Sequence, residues 1–133
     1  MPKFANATVL DGGSDTLRVL AGTAARVKMH VIKAYTAGDA YATVVTTNSC
    51  GSVDLVAADL AQSANGLNRR TTVAAKTITV ATSSGAAPNL HIAIVDSTGL
   101  SVLLVTDETT DQVLTASNPF NVPAWTYDVS QPI

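Results

Sequence analysis

Leu90-His91-Ile92-Ala93-Ile94-Val95-Asp96-Ser97-Thr98-Gly99-Leu100-Ser101-Val102-Leu103-Leu104-Val105-Thr106 is the stretch that decides the fold. Two apolar runs flank Asp96-Ser97-Thr98-Gly99, where a glycine can take the left-handed backbone that closes such a loop. The pattern predicts a β-hairpin. Val102 to Val105 is apolar at every position, so this strand needs cover on both faces. A second sheet is expected on one side, and a helix or a neighbouring subunit on the other.

Outward from the hairpin, the second half of the chain repeats the same grammar. Thr71-Thr72-Val73, Thr77-Ile78-Thr79-Val80, Gln112-Val113-Leu114-Thr115 and Ala124 to Val129 are short β-prone runs between clusters of Gly, Asn, Asp, Ser and Pro. Turn signals at this spacing point to an antiparallel sandwich or barrel. Val73 and Ile78 fall on opposite phases of a two-residue period, which requires a bulge near Ala75-Lys76 or two separate strands. Pro119 and Pro123 bracket Phe120-Asn121-Val122 and place that segment at an edge.

The first half contains one clear strand, Ala25 to Ile32. Val27, Met29 and Val31 face one way, and Arg26, Lys28 and His30 the other. Thr16 to Ala21 fits a short helix stopped by Gly22, or a strand with Leu17 and Val19 on one side; the β-rich context favours the strand. Tyr41 to Thr47 reads as a strand broken by Asn48-Ser49-Cys50-Gly51. Ser52 to Leu60 is the expected helix, with Ser52 as its cap and Asp54 in the first turn. The expected fold is all-β and mainly antiparallel: one β-sandwich domain over residues 1–133, jelly-roll-like, with at most one short helix and an N-terminal arm of about residues 1–13.

Composition narrows the function classes. Only 14% of the 133 residues are charged, against roughly 25% in an average soluble domain. A low-charge surface rich in Thr and Ala suits a protein whose faces are covered by copies of itself or by a larger assembly. The net charge is −2, and Arg69-Arg70 is the only basic doublet, so no nucleic-acid partner is expected. No apolar run approaches the roughly 20 residues that span a bilayer. Met1 to Asn6 lacks the apolar core of a secretory signal, so synthesis in the cytoplasm is expected. A single cysteine, Cys50, excludes an internal disulfide.

Candidates for chemistry are few. His30 and His91 both lie in strand patterns without a second ligand at metal-like spacing, and His30 is expected on an exposed polar face. Cys50 precedes a glycine in a turn, a setting that can lower a thiol pKa, yet a buried, inert thiol is the better reading. Asp107, Glu108 and Asp111 could crowd around calcium, but their spacing matches no calcium loop. Asp11-Gly12-Gly13 is a fragment of a phosphate-cradling pattern and is better read as a turn. Phe120, Trp125 and Tyr127 could stack on sugar or anchor a partner, with core or subunit interface favoured. No catalytic motif, cofactor or metal site is expected, and the chain is read as a non-enzyme.

As a whole the layout resembles a group of small virion proteins of tailed bacteriophages. Members open as Met1-Pro2-Lys3-Phe4-Ala5-Asn6 and Val9-Leu10-Asp11-Gly12-Gly13 do here, followed by a strand like Arg26 to Val31. They continue with a loop and strand like Asn65-Gly66-Leu67-Asn68-Arg69-Arg70-Thr71-Thr72-Val73, and a hairpin like His91 to Asp96 paired with Leu103 to Thr106. They close on a segment like Asn121-Val122-Pro123-Ala124-Trp125. Residues 38–62 match this outline poorly. The resemblance implies a capsid decoration, or cement, protein, a jelly-roll-like sandwich bound outside the shell, often as a homotrimer. Its partner would be the major capsid protein and its location the virion surface. Phe4, Phe120, Val122, Pro123 and Trp125 are the expected contacts, because they lie near chain termini. A low-copy tail or neck adaptor and a carbohydrate-binding attachment module are the alternatives.

Overall fold

The computed structural model describes residues 4–5, 15–66, 68–108 and 110–129. These form ten strands: β1 (Phe4–Ala5), β2 (Val27–Ile32), β3 (Ser49–Leu55), β4 (Leu60–Asn65), β5 (Asn68–Val73), β6 (Lys76–Thr79), β7 (His91–Asp96), β8 (Ser101–Asp107), β9 (Pro119–Val122) and β10 (Trp125–Val129). A short helix, α1, covers residues 15–21. All described pairings are antiparallel. The large sheet runs β1-β8-β7-β2-β3, a second β10-β5-β4, and a third pairs β6 with β9.

The main core lies between the large sheet and the two small ones. Val27, Met29 and Val31 from β2 and Ile92 and Ile94 from β7 meet Leu60, Val73, Ile78, Phe120 and Val122. Val73 and Ile78 thus belong to two strands of different sheets, which resolves their opposite phases. Leu17 and Ala21 of α1 enter the same core. The opposite face of the large sheet is covered too: Ile32, Ala93, Val95, Val102 and Val105 pack against Val44, Tyr35, Tyr41 and Val45. The both-faces expectation for Val102 to Val105 therefore holds, with a helical segment on the second face.

A bulge decides how β8 serves both faces. Ile94 pairs with Leu104 and Val95 with Val102, so Leu103 is an extra residue. Leu103 and Leu104 then both point into the main core, while Val102 and Val105 point away from it. A second register shift sits at Val31/Ile32, where Cys50 is the extra residue on β3. The Cys50 carbonyl accepts from the backbone N–H of Ala81 (2.7 Å) and Thr82 (3.0 Å). A Cβ on Gly51 would lie 2.7 Å from the Thr79 carbonyl oxygen, so only glycine lets the chain beyond β6 approach this edge.

Three segments depart from the sequence expectation. Residues 15–21 are helical rather than a strand: Leu17 and Ala21 are buried while Val19 is 74% exposed. The spacing of Leu17, Leu20 and Ala21 presents one apolar stripe to the core. Tyr41 to Thr47 is helical as well, with π-helix at Thr43–Thr47 and the Asn48 N–H donating to the Thr43 carbonyl at 3.0 Å. Tyr41, Val44 and Val45 recur at i, i+3 and i+4, which covers the second face of the large sheet better than alternation would. Conversely, the helix expected over Ser52 to Leu60 is absent. Val53 and Leu55 turn inward and Ser52 and Asp54 outward along β3, and only Ala57–Asp59 make a 3-10 turn.

The hairpin turn also closes differently from expectation. Leu100, not Gly99, carries the positive φ, at 51°. Gly99 is needed for room instead: a Cβ there would lie 2.6 Å from Asp96 Oδ2. The Asp96 carboxylate is the organiser. It accepts from Arg26 Nε and Nη2, both at 2.9 Å, and its Oδ1 accepts from the backbone N–H of Thr98 and Gly99 at 3.0 Å. The Arg26 hydrogen bond, aided by those two N–H donors, holds the Asp96 carboxyl below its ordinary range against the opposing effect of burial. Asp96→Ala is expected to lower unfolding free energy by roughly 1–3 kcal/mol, since two turn N–H groups and a guanidinium lose their acceptor. Urea denaturation checks this; an unchanged midpoint would show that the turn holds without the carboxylate.

Candidate functional site

The residue types that carry chemistry are dispersed and mostly absorbed by packing. His30 is buried rather than exposed, at 7% accessibility, because the helical segment covers that face of β2. Its Nδ1 lies 2.7 Å from Ser49 Oγ. Burial, with a smaller contribution from Lys28, lowers its pKa to about 4. The imidazole is therefore neutral at pH 7.

Cys50 sits in the β3 bulge rather than in a turn, is fully buried, and points its Sγ toward the Asn48 carbonyl at 3.9 Å. Burial pushes its thiol pKa up, the reverse of what a nucleophile needs. The carboxylates expected to crowd together have separate duties. Asp107 Oδ1 lies 3.4 Å from His91 Nδ1, Asp111 Oδ1 accepts the Leu90 N–H at 2.8 Å, and Glu108 Oε1 accepts the Thr110 N–H at 3.2 Å. Among the described residues no group of three His, Cys, Asp or Glu side chains is placed to hold a metal ion. Asp11-Gly12-Gly13 lies outside the described residues.

Of the expected contact residues, Phe4 pairs through its backbone with Val105, adding β1 to the edge of the large sheet. Phe120 and Val122 are 4% and 2% exposed and fill the chain's own core, so their side chains are not presented to a neighbour. Pro123 is exposed beside them. Trp125 is half-buried, packs on the main core and tilts against Tyr127 at 6.3 Å between ring centroids. Its indole nitrogen is buried, so the ring is not an open stacking platform.

Two groups of polar atoms were not legible in the sequence. On the inner face of the β10-β5-β4 sheet, Gln62, Thr71 and Tyr127 form one cross-strand row, next to the row Leu60, Val73 and Trp125. Gln62 Nε2 and Trp125 Nε1 are buried there with no hydrogen-bond partner among the described residues, and the buried Thr71 and Tyr127 hydroxyls have only one another nearby. Burial raises the Tyr127 pKa, with the Thr71 hydroxyl acting the other way. The second group lies at the end of β7. Among the described residues, His91, 3% exposed, has neither ring nitrogen in a hydrogen bond, and the buried Tyr35 Oη has no partner; the two rings meet edge-on at 6.0 Å. The His91–Asp107 distance permits charge attraction but not hydrogen-bond geometry. Each such buried, unpaired group costs about 1–3 kcal/mol. The one sequence signal was polar residues at inward phases of strands, which a single strand read alone cannot orient.

The surface adds two shallow clefts beside β9. One, of about 270 Å³, is lined by Gln112, Val113, Thr115, Asn118 and Asn121; the other, of about 300 Å³, lies by Lys76, Thr77 and Pro123. Neither gathers titratable groups around a common point. Comparisons with protein-family models, curated proteins and solved structures find no match to this chain.

Two outcomes are expected. The unfolded chain binds the His30 proton more tightly than the native one. The stabilisation from keeping it neutral is complete above pH 6.5 and lost as pH falls from 6.5 to about 4. The loss is on the order of 3 kcal/mol. Urea titrations across this range should show it for the parent and a flattened slope for His30→Gln; equal slopes would overturn the assignment. Trp125→Ala should lower stability by roughly 2 kcal/mol. Glycan-array binding by the parent that this variant abolishes, with stability unchanged, would instead make the indole a sugar platform.

Proposed function

We propose that this chain is a structural virion protein of the capsid-decoration type, binding the outside of a phage head through non-covalent contacts with the major capsid protein. The observation that carries the reading is how the fold groups the segments on which the resemblance rests. The Asn68 to Val73 strand pairs with β10, which begins with Trp125 opposite Val73, while Asn121 and Val122 of β9 pair with Thr77 and Lys76 of β6. The His91 to Asp96 run pairs with Ser101 through Asp107 in the large sheet, with Leu103 as the bulge residue. The outline is thus a set of scaffold segments that meet in space, as expected if the family shares a framework rather than an active centre. The jelly-roll-like connectivity of such proteins is part of the same proposal.

A non-catalytic role fits the local chemistry. The two histidines and the thiol are buried, and His30 is held neutral. In this reading binding stabilises the shell by mass action, because the protein binds the assembled surface and not its dispersed subunits. The test is quantitative mass spectrometry of purified virions from the phage encoding this chain, scaled to the major capsid protein. Copy numbers comparable to the shell subunit are expected. A handful of copies would move the protein to the tail or neck, and absence from the particle would end the structural reading.

A further inference from the structure

Every sheet in this fold has edges, and they are not protected alike. β1 is only two residues long, β3 carries Asp54 and the Cys50 bulge, β6 carries Lys76, β9 starts at Pro119, and β10 carries Asp128. Charges, prolines, bulges and short length are the usual devices that stop an edge strand from pairing with another chain. β4, Leu60-Ala61-Gln62-Ser63-Ala64-Asn65, has none of them. Its pairing with β5 is in continuous register over all six residues. Among the described residues, no strand and no backbone hydrogen bond lies on its other edge.

We propose that β4 is a self-association edge, pairing antiparallel with β4 of a second copy of this chain about a two-fold axis at Gln62. This goes beyond the proposed function and does not depend on it. The partner is argued from self-complementarity. With Gln62 opposite its own copy, Leu60 faces Ala64 on the inner side and Ala61 faces Ser63 on the outer side. Within the two β4 strands no like charges are opposed and no large side chain blocks the approach. The axis residue supplies a further reason. Among the described residues, Gln62 Oε1 accepts only a long 3.4 Å contact from Arg18 Nη1, and its buried Nε2 has no acceptor. A carboxamide carries both donor and acceptor, so turning it toward the axis lets two copies satisfy one another. Roughly four to six backbone hydrogen bonds would close the pair, joining two three-stranded sheets into one of six strands.

Sedimentation velocity across a concentration series tests this. The parent chain is expected to form a concentration-dependent dimer. Ser63→Lys, which sets two like charges near the axis, should raise the dimer dissociation constant at least about ten-fold. Thr126→Lys on β10, at the opposite edge of the same sheet, should leave it unchanged. Circular dichroism verifies folding. Should Ser63→Lys unfold the chain, Gln62→Cys decides independently: mild oxidation should give a disulfide-linked dimer on a non-reducing gel, and Thr126→Cys should not. A monomer at all concentrations overturns the proposal, as does a dimer or higher oligomer indifferent to Ser63→Lys, or one broken by Thr126→Lys.

Discussion

The burial of β7 on both faces is the constraint from which the rest of the structure follows. All six of its residues, His91 to Asp96, are buried. A strand without a solvent face must be covered twice, so the remaining chain divides into two coverings. On one side lie α1 and the two small sheets; on the other lie Tyr35 and the helical segment around Val44. The bulge at Leu103 lets β8 supply apolar groups to both layers from one short strand. The bulge at Cys50 turns the end of β3 toward the chain beyond β6. Small irregularities thus solve a problem that strict alternation could not.

The hairpin was legible in the sequence because its signals are local: two apolar runs and turn residues within seventeen positions. The segments that read wrongly share one physical cause. Residues 15–21, Tyr41 to Thr47 and Ser52 to Leu60 are short, and each contains apolar residues compatible with both periods. In pieces that short, intrinsic propensity is weak, and the surface to be covered chooses the conformation. Val44 and Val45 are β-formers by preference, yet the exposed face of β7 and β8 needed a stripe at i, i+3 and i+4. Val53 and Leu55 fit a helix on paper, but β2 offered an open edge with Lys28 placed opposite Asp54.

The candidate site was legible only as a list of residue types. His30, Cys50 and His91 could be named from sequence; the buried thiol favoured for Cys50 is what the structure has, whereas the exposure expected for His30 is reversed. The aromatic C-terminal segment was recognised, yet its division of labour was not. Phe120 and Val122 belong to the core, Trp125 and Tyr127 to its margin, and Asn121, Pro123, Ala124, Thr126 and Asp128 face outward. That division depends on β9 and β10 joining different sheets, information that lies in strands distant in sequence.

The two ends of β7 show how the same fold treats polar groups unequally. The Asp96 carboxylate has four donors and organises a turn, whereas the His91 ring has no hydrogen bond among the described residues and faces Asp107 without the geometry for one. The inner face of the β10-β5-β4 sheet repeats the second pattern with Gln62 and Trp125. Unpaired polar atoms subtract from stability where they occur, and three strands have less apolar contact to offset them than five. Local opening is thus easier to reach where three strands carry such atoms than where five do. The unprotected edge of β4 belongs to that three-stranded sheet. A sheet short of internal partners and open at one edge gains more from an added strand than a saturated one does, so the least complete part of the fold is the part best suited to assembly.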